Sequence, residues 1–267
     1  MANLLDRKGV PIGDFTLQVA LGCYPGITVQ HIAGASYGIP ANGPFTLWQN
    51  NTMYTWPSSA GAVNSMALAS GSTDDADGGI GVNKVKVFGL NNDFEPVTEV
   101  VSMNGQTPVK LTVEMAHVNH IGAYEIGTTG HNVGDVWLGS GTFTTGVPSS
   151  RYSLIIDEMN CSEVGVYTVP MSHSLLLYKP SATFGFYDAK LAVGVHVQPY
   201  RSKAPFLHEF FSLSNPVNNT LNPVPVLVAA KSKIMIIVNS CSATPDIHIE
   251  GESFLIEDAF FTDQTRR

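Results

Sequence analysis

The chain has 267 residues, a net charge of −8 and 13% charged residues, about half the usual ~25% for a soluble domain. Apolar residues make up 44%, and a chain of this length buries a sizeable core without staples. Basic residues do not form stripes, which excludes a phosphate-tracking surface, and three scattered cysteines (Cys23, Cys161, Cys241) imply neither a disulfide framework nor a metal knuckle. The surface must then be built from Ser, Thr, Asn, Gly and backbone, a composition suited to packing against other protein.

The opening residues MANLLDRKGVPIGDF contain no apolar run of signal-peptide length. Asn64–Ala69 fits a short helix or a strand. Asp74, Asp75 and Asp77 before Gly78-Gly79 look like half a calcium loop. A bidentate acid at the twelfth position is missing, so the stretch reads as a solvated Asp/Gly turn. Val82–Phe88 reads as a strand, with Lys84 and Lys86 on its wet face, and Gly89–Asp93 as a turn. A β-rich run, Val97 to Met103, leads to Asn104-Gly105. Beyond it, Val109, Leu111, Val113 and Met115 alternate with Lys110, Thr112 and Glu114, the period-two mark of a half-buried strand. Asn-Gly between two such runs is a strong hairpin signal, because both residues tolerate positive φ. Asn104 and Gly105 are therefore expected as the structural turn of a three-strand meander.

His117 and His120 follow that strand, a spacing that gives no metal pair on extended backbone. Glycines recur from Gly122 to Gly146 around the short strand Val136–Leu138, marking a linker or a set of loops. Strands are expected at 153–156, 174–178, 191–197, 234–238, 246–250 and 253–256. The longest apolar stretch, 224–238, is interrupted by Lys231 and Lys233 and is too short to span a bilayer. No window makes a long amphipathic helix. Short strands punctuated by Gly, Pro, Asn and Ser imply an all-β fold, an antiparallel, jelly-roll-like β-sandwich. We expect two sandwich halves: residues 1–121, with an extended N-terminal segment, and residues 122–267.

Motifs for chemistry are absent. No zinc-binding His pattern, nucleophile elbow, phosphate loop or dinucleotide fingerprint occurs. Trp48, Trp56, Trp137 and Tyr54 could form a sugar-stacking platform, but core packing is the more common use of such residues. No catalytic, metal or cofactor-binding residue is assigned.

Several stretches resemble proteins of tailed-bacteriophage virions, marine ones in particular. Val87-Phe88-Gly89-Leu90-Asn91 resembles a strand ending in V-x-G-L-D, and Thr98 to Val109 resembles a following E-T-V-T-L-N-G-T-T-P-V strand. The Ser/Asp/Gly stretch 70–85, the aromatic segment Phe45–Trp48, Tyr167-Thr168-Val169-Pro170 and the late Gly251–Ile256 agree with flanking parts of that pattern. Asn91 and Met103 depart from it mildly. The resemblance is patchy outside 70–113 and is not specific for one place in the virion. It implies a non-enzymatic structural protein found in the virion, either a capsid decoration (cement) protein or a neck, tail or fibre-anchoring component. It implies partners such as the major capsid protein and a homo-oligomer, expected as a trimer, with no nucleic-acid or membrane partner and no cofactor. The alternative reading is a carbohydrate-binding receptor-recognition module.

Overall fold

The computed structural model describes residues 15–38, 43–57, 65–184, 190–202, 204–214, 219–220, 225–242, 244 and 246–259. Among these residues the fold is all-β: seventeen strands and one six-residue helix, α1 (Phe15–Ala20). No helix of the described residues is long and apolar enough to cross a membrane.

The strands form four antiparallel sheets. In sheet one, β1 (Ile27–Ser36) pairs with β17 (Ile247–Glu257), which pairs with β11 (His173–Phe184). The far edge of β11 takes β14 (Asn219–Thr220) and β15 (Val226–Val228). Sheet two runs β10 (Val166–Thr168), β16 (Lys233–Cys241), β12 (Lys190–Gln198), β13 (Phe206–Ser214), with β2 (Phe45–Thr46) also on β16. Sheet three runs β6 (Val109–Lys110), β3 (Ala67–Ser70), β8 (Val136–Thr144), β9 (Val147–Ile155). Sheet four places β4 (Val82–Leu90) between β5 (Pro96–Ser102) and β7 (His117–Ile126).

Two cores explain this grouping. Leu191, Val193, Val195 and Val197, the alternating apolar set of β12, are all buried with Ile234, Ile236, Ile249 and Leu255. That core joins sheets one and two. Val85, Val87, Ile121, Leu68, Leu138 and Ile155 belong to a second core joining sheets three and four. Each buried side chain of this size contributes roughly 1.5–3 kcal/mol relative to exposure, so the two cores dominate the stability. The chain path is discontinuous. Sheets one and two draw on residues 27–46 and 166–257, whereas sheets three and four use 67–155 alone. We call these the outer and inner units.

The division expected between residues 121 and 122 falls inside β7. Ile121 pairs with Val87 and the next residue, Gly122, with Lys86. The glycines read as a linker instead permit close backbone approach. A Cβ at Gly146 would meet the Ser70 carbonyl oxygen at 1.9 Å, and one at Gly127 the Gly79 oxygen at 2.3 Å.

The hairpin expectation is also corrected. Gly105 does adopt positive φ, at 57°, and Asn104-Gly105 lies at a turn. Yet β5 pairs with β4, while β6 pairs with β3. The turn carries the chain from sheet four to sheet three, so that Val101, Met103 and Leu111 enter one core from two sheets. The Gly105 amide donates to the Asp75 carbonyl and its own carbonyl accepts from the Ser70 amide, both at 2.8 Å. Alternation in 109–115 survives as burial: Leu111 and Met115 are buried, Lys110, Thr112 and Glu114 exposed. Only two residues of it form a ladder. Beyond them the Glu99 carboxylate takes the place of a neighbouring strand, accepting from the Thr112 amide at 3.0 Å, its hydroxyl at 2.8 Å and the Val113 amide at 3.1 Å.

Asp75 is not in a solvated turn. It is fully buried. Its Oδ1 accepts the amides of Val82 (2.8 Å) and Val133 (2.9 Å), and Oδ2 the Ser70 hydroxyl (2.5 Å) and the Gly134 amide (3.0 Å). Four donors compensate the desolvated carboxylate and tie β3, β4 and the loop before β8 together.

Elsewhere the short expected strands are real but longer, and 246–250 with 253–256 merge into the single eleven-residue β17. Strands β1, β7 and β13 have no counterpart among the sequence expectations. The segment Asn64–Ala69 resolves in favour of a strand, with β3 spanning Ala67–Ser70.

Candidate functional site

The two units meet along an aromatic seam and beside a cleft. At the seam, the outer face of sheet two presents Met235 and Ile237, and Trp48 and Tyr54 cover them. Ring contacts then run from Trp48 to Tyr54 (5.4 Å), Tyr54 to Trp56 (4.9 Å) and Trp56 to His117 (5.8 Å). His117 stacks on Phe94 at 4.6 Å, and Phe94 meets Tyr200 at 5.2 Å. Two lysines from the outer unit cap the seam. Lys233 Nζ sits 4.8 Å from the Trp56 ring centre, and Lys231 Nζ lies 5.4 Å from Phe94 and 5.2 Å from Tyr200. The Tyr54 hydroxyl donates to the Tyr152 carbonyl at 3.0 Å, anchoring the seam to β9.

This arrangement answers the sugar-platform expectation. Trp48 and Trp137 are buried, Trp56 is half-buried against Tyr54, His117 and Lys233, and Arg151 covers Trp137 at 4.9 Å. The tryptophans act as packing groups between sheets. Burial and the nearby Lys233 charge push the His117 pKa down to about 3, so this histidine is a neutral packing ring.

The cleft lies between β1 of the outer unit and β4, β5 and β7 of the inner one; it is open to solvent and has a volume of about 580 Å³. That volume falls within the ~300–1,000 Å³ typical of ligand pockets, which favour junctions of this kind. Residues Cys161 to Val164, on the segment that carries the chain back from the inner unit to β10, also line it. The walls are mostly apolar, including Ile32, Leu90, Val97 and Val164.

Polar groups converge at one side of the cleft. His120 Nδ1 lies 3.1 Å from Ser162 Oγ, which also accepts the Ile121 amide at 2.9 Å. Burial holds His120 below its ordinary pKa, with the charge of His31 across the cleft adding to the effect. His31 pairs with Glu250 at 3.1 Å, and Glu163 Oε1 lies 3.4 Å from His248 Nε2. The hydrogen bond from Glu163 raises the His248 pKa. Cys161 is exposed, but burial of its thiol and the Glu163 charge raise its pKa.

Chemically this is a weak reactive centre. Ser162 is buried and its oxygen is already engaged by a backbone amide. A thiol with a raised pKa is a poor nucleophile at neutral pH, because the thiolate is the reactive form. Among the described residues no group of three or more His, Cys, Asp or Glu side chains could hold a metal ion. His117 and His120 lie on one strand but serve different places: His117 the seam, His120 the cleft. Of the cleft groups only His120 stood out in the sequence, and for another reason, because His31, His120 and Glu163, with His248 beside Glu163, are brought together only by strand pairing across the whole chain.

No family model matches the sequence, and no curated protein matches it. Among solved structures, the infectious bursal disease virus Gt strain is similar at 11% identity and a TM-score of 0.17, covering 91% of this chain and 78% of that one. A mutant VP2 protein of the same virus, from derived T=1 particles, is similar at 12% identity and a TM-score of 0.16, covering 92% and 76%. Superpositions at this level bear on neither the fold nor the function of this chain.

Proposed function

We propose that this chain is a non-enzymatic structural protein of a tailed-phage virion, acting as a capsid decoration protein that clamps assembled major capsid subunits. In this reading each pair of sheets packs as an antiparallel sandwich, and the protein works as a trimer. Binding only the assembled lattice would stabilise that lattice by mass action, and many-copy attachment would add avidity.

The observation that carries the reading is the surface. It bears few charges, and on the outermost strand of sheet two it displays Phe206 and Leu207, with Tyr200 before that strand, each more than half exposed. Strand β13 has no further partner strand among the described residues, and an apolar sheet edge of this kind invites pairing with another chain. The resemblance of residues 82–113 to virion proteins supports the same assignment. A neck or tail position fits these observations equally in chemistry and differs only in location. Burial of Trp48 and Trp137 counts against the carbohydrate-binding alternative.

Mass spectrometry of purified particles tests the assignment: the chain should be present in stoichiometric amounts, and its absence overturns it. Light scattering tests the trimer. A monomer at micromolar concentration whose melting temperature is unchanged on tenfold dilution removes that part.

A further inference from the structure

We infer that a second pocket, between the segment after β2 and the β8–β9 hairpin, binds the carboxylate of a small polar molecule. The inference goes beyond the virion assignment and does not depend on it.

The pocket is open to solvent and has a volume of about 780 Å³. Trp48 and Tyr152 lie buried behind it. The surface a ligand meets comes from exposed or half-buried groups, chiefly Asn50, Thr52, Thr55, Ser149, Ser150 and Arg151.

Three observations point to an anion. The first is that Arg151 is a cation held in place without an acid. Its Nε donates to the Pro148 carbonyl at 3.4 Å, its Nη1 donates to Asn50 Oδ1, and its guanidinium carbon lies 4.9 Å from the centre of the Trp137 ring. Among the described residues Arg151 forms no ion pair. A guanidinium carries five N–H donors. Both protons of Nη2 and one of Nη1 are therefore left without a protein acceptor among the described residues. The second is the lining, which contains no Asp or Glu although the chain carries a net charge of −8. The third is a pair of hydroxyls, Thr55 and Ser150, which line the same pocket and have no hydrogen-bond partner among the described residues.

A guanidinium already fixed at three points gives up little side-chain freedom when a ligand arrives. Its paired N–H groups fit the two oxygens of a planar carboxylate, and the hydroxyls can donate to the remaining lone pairs. An ammonium would face Arg151 with no counter-charge in the lining. A neutral amide would keep only hydrogen bonds to an uncharged acceptor, which are about half as strong. Repulsion from the chain's distant acids is screened beyond ~8 Å at physiological ionic strength.

N-Acetylglycinate is a suitable probe, with N-acetylglycinamide and N-acetylethylenediammonium as its neutral and cationic counterparts of similar size. Binding is read from nitrogen-15 spectra at physiological salt, on the Arg151 Nε–H signal and the Ser150 amide, with Arg201 Nε–H and the Gly130 amide as references. The expected result is a saturable shift of the Arg151 and Ser150 signals by the carboxylate. The amide and the ammonium should bind at least about fivefold more weakly. Arg151→Gln, read on the Ser150 amide, should lose carboxylate affinity by a similar factor. Should that variant not fold once Trp137 is uncovered, nuclear Overhauser contacts replace it, between the probe's methylene protons and the Asn50 side-chain amide of the unmodified protein. Absence of a saturable shift, equal binding of the three probes, unchanged affinity in Arg151→Gln, or absence of the Asn50 contacts would each overturn the site.

Discussion

Replacing His117 by Phe should remove most of one proton's worth of acid sensitivity from the fold. The His117 ring is 6% exposed, stacked on Phe94 and edged by Trp56. Its Nδ1 is buried without a hydrogen-bond partner, and its pKa lies near 3 against an ordinary 6.5. The unfolded chain is then the better proton binder between these two values. Stability is full above pH 6.5 and falls as the pH drops toward 3. Integrating one such group from pH 7 to pH 5 gives a loss of about 2 kcal/mol, from ~1.4 kcal/mol per unit of pKa difference. His120, also held below its ordinary value, acts in the same direction, while His248, raised by Glu163, acts in the opposite one. Comparing the His117→Phe variant with the parent cancels those contributions. Urea unfolding at pH 7.0 and 5.0 is the assay. The parent should lose about 2 kcal/mol more than the variant over that interval, even if the larger ring changes the stability at pH 7. Parallel pH dependences would refute the buried neutral histidine and with it the seam as drawn.

Three other perturbations probe the rest of the fold. Asp75→Asn replaces an acceptor of four hydrogen bonds with a group whose NH₂ confronts amide donors. It should cost about 2–4 kcal/mol, read as a shift in the urea midpoint. Gly146→Ala combines a φ of 83° with a Cβ that would sit 1.9 Å from the Ser70 oxygen, whereas Gly130→Ala, at φ 78°, meets open space. The first should destabilise by well over 2 kcal/mol and the second by about 1; equal melting temperatures would contradict the packing of the 146 turn on β3. Phe94→Ala removes the ring shared by His117, Tyr200 and Lys231. A loss of about 3 kcal/mol is expected, with the His117 pKa moving up toward its ordinary value by NMR titration.

The sequence by itself determined where the cleanly alternating strands lie, though not β1, β7 or β13. The alternation at 82–88 and 191–197 is a local property of extended backbone, so it can be read without knowing what packs on either face, and both runs became buried-face strands. The positive φ of Gly105 was legible for the same reason. Partnership was not. The run 109–115 alternates, yet nothing local distinguishes pairing with 96–102 from pairing with 67–70; the shared core of sheets three and four made that choice. Asp75 looked solvated because its donors come from Ser70, Val82, Val133 and Gly134, the last two some sixty residues away. The division at 121/122 could not stand against a chain that leaves the outer unit after β2 and re-enters it at β10, since a strand's partner leaves no mark in its own side-chain period. The cleft is the furthest case. His31, His120, Glu163 and His248 are ordinary residues on four separate segments, and only the pairing of β1 with β17 and the return of the chain through Cys161–Val166 bring them to one place.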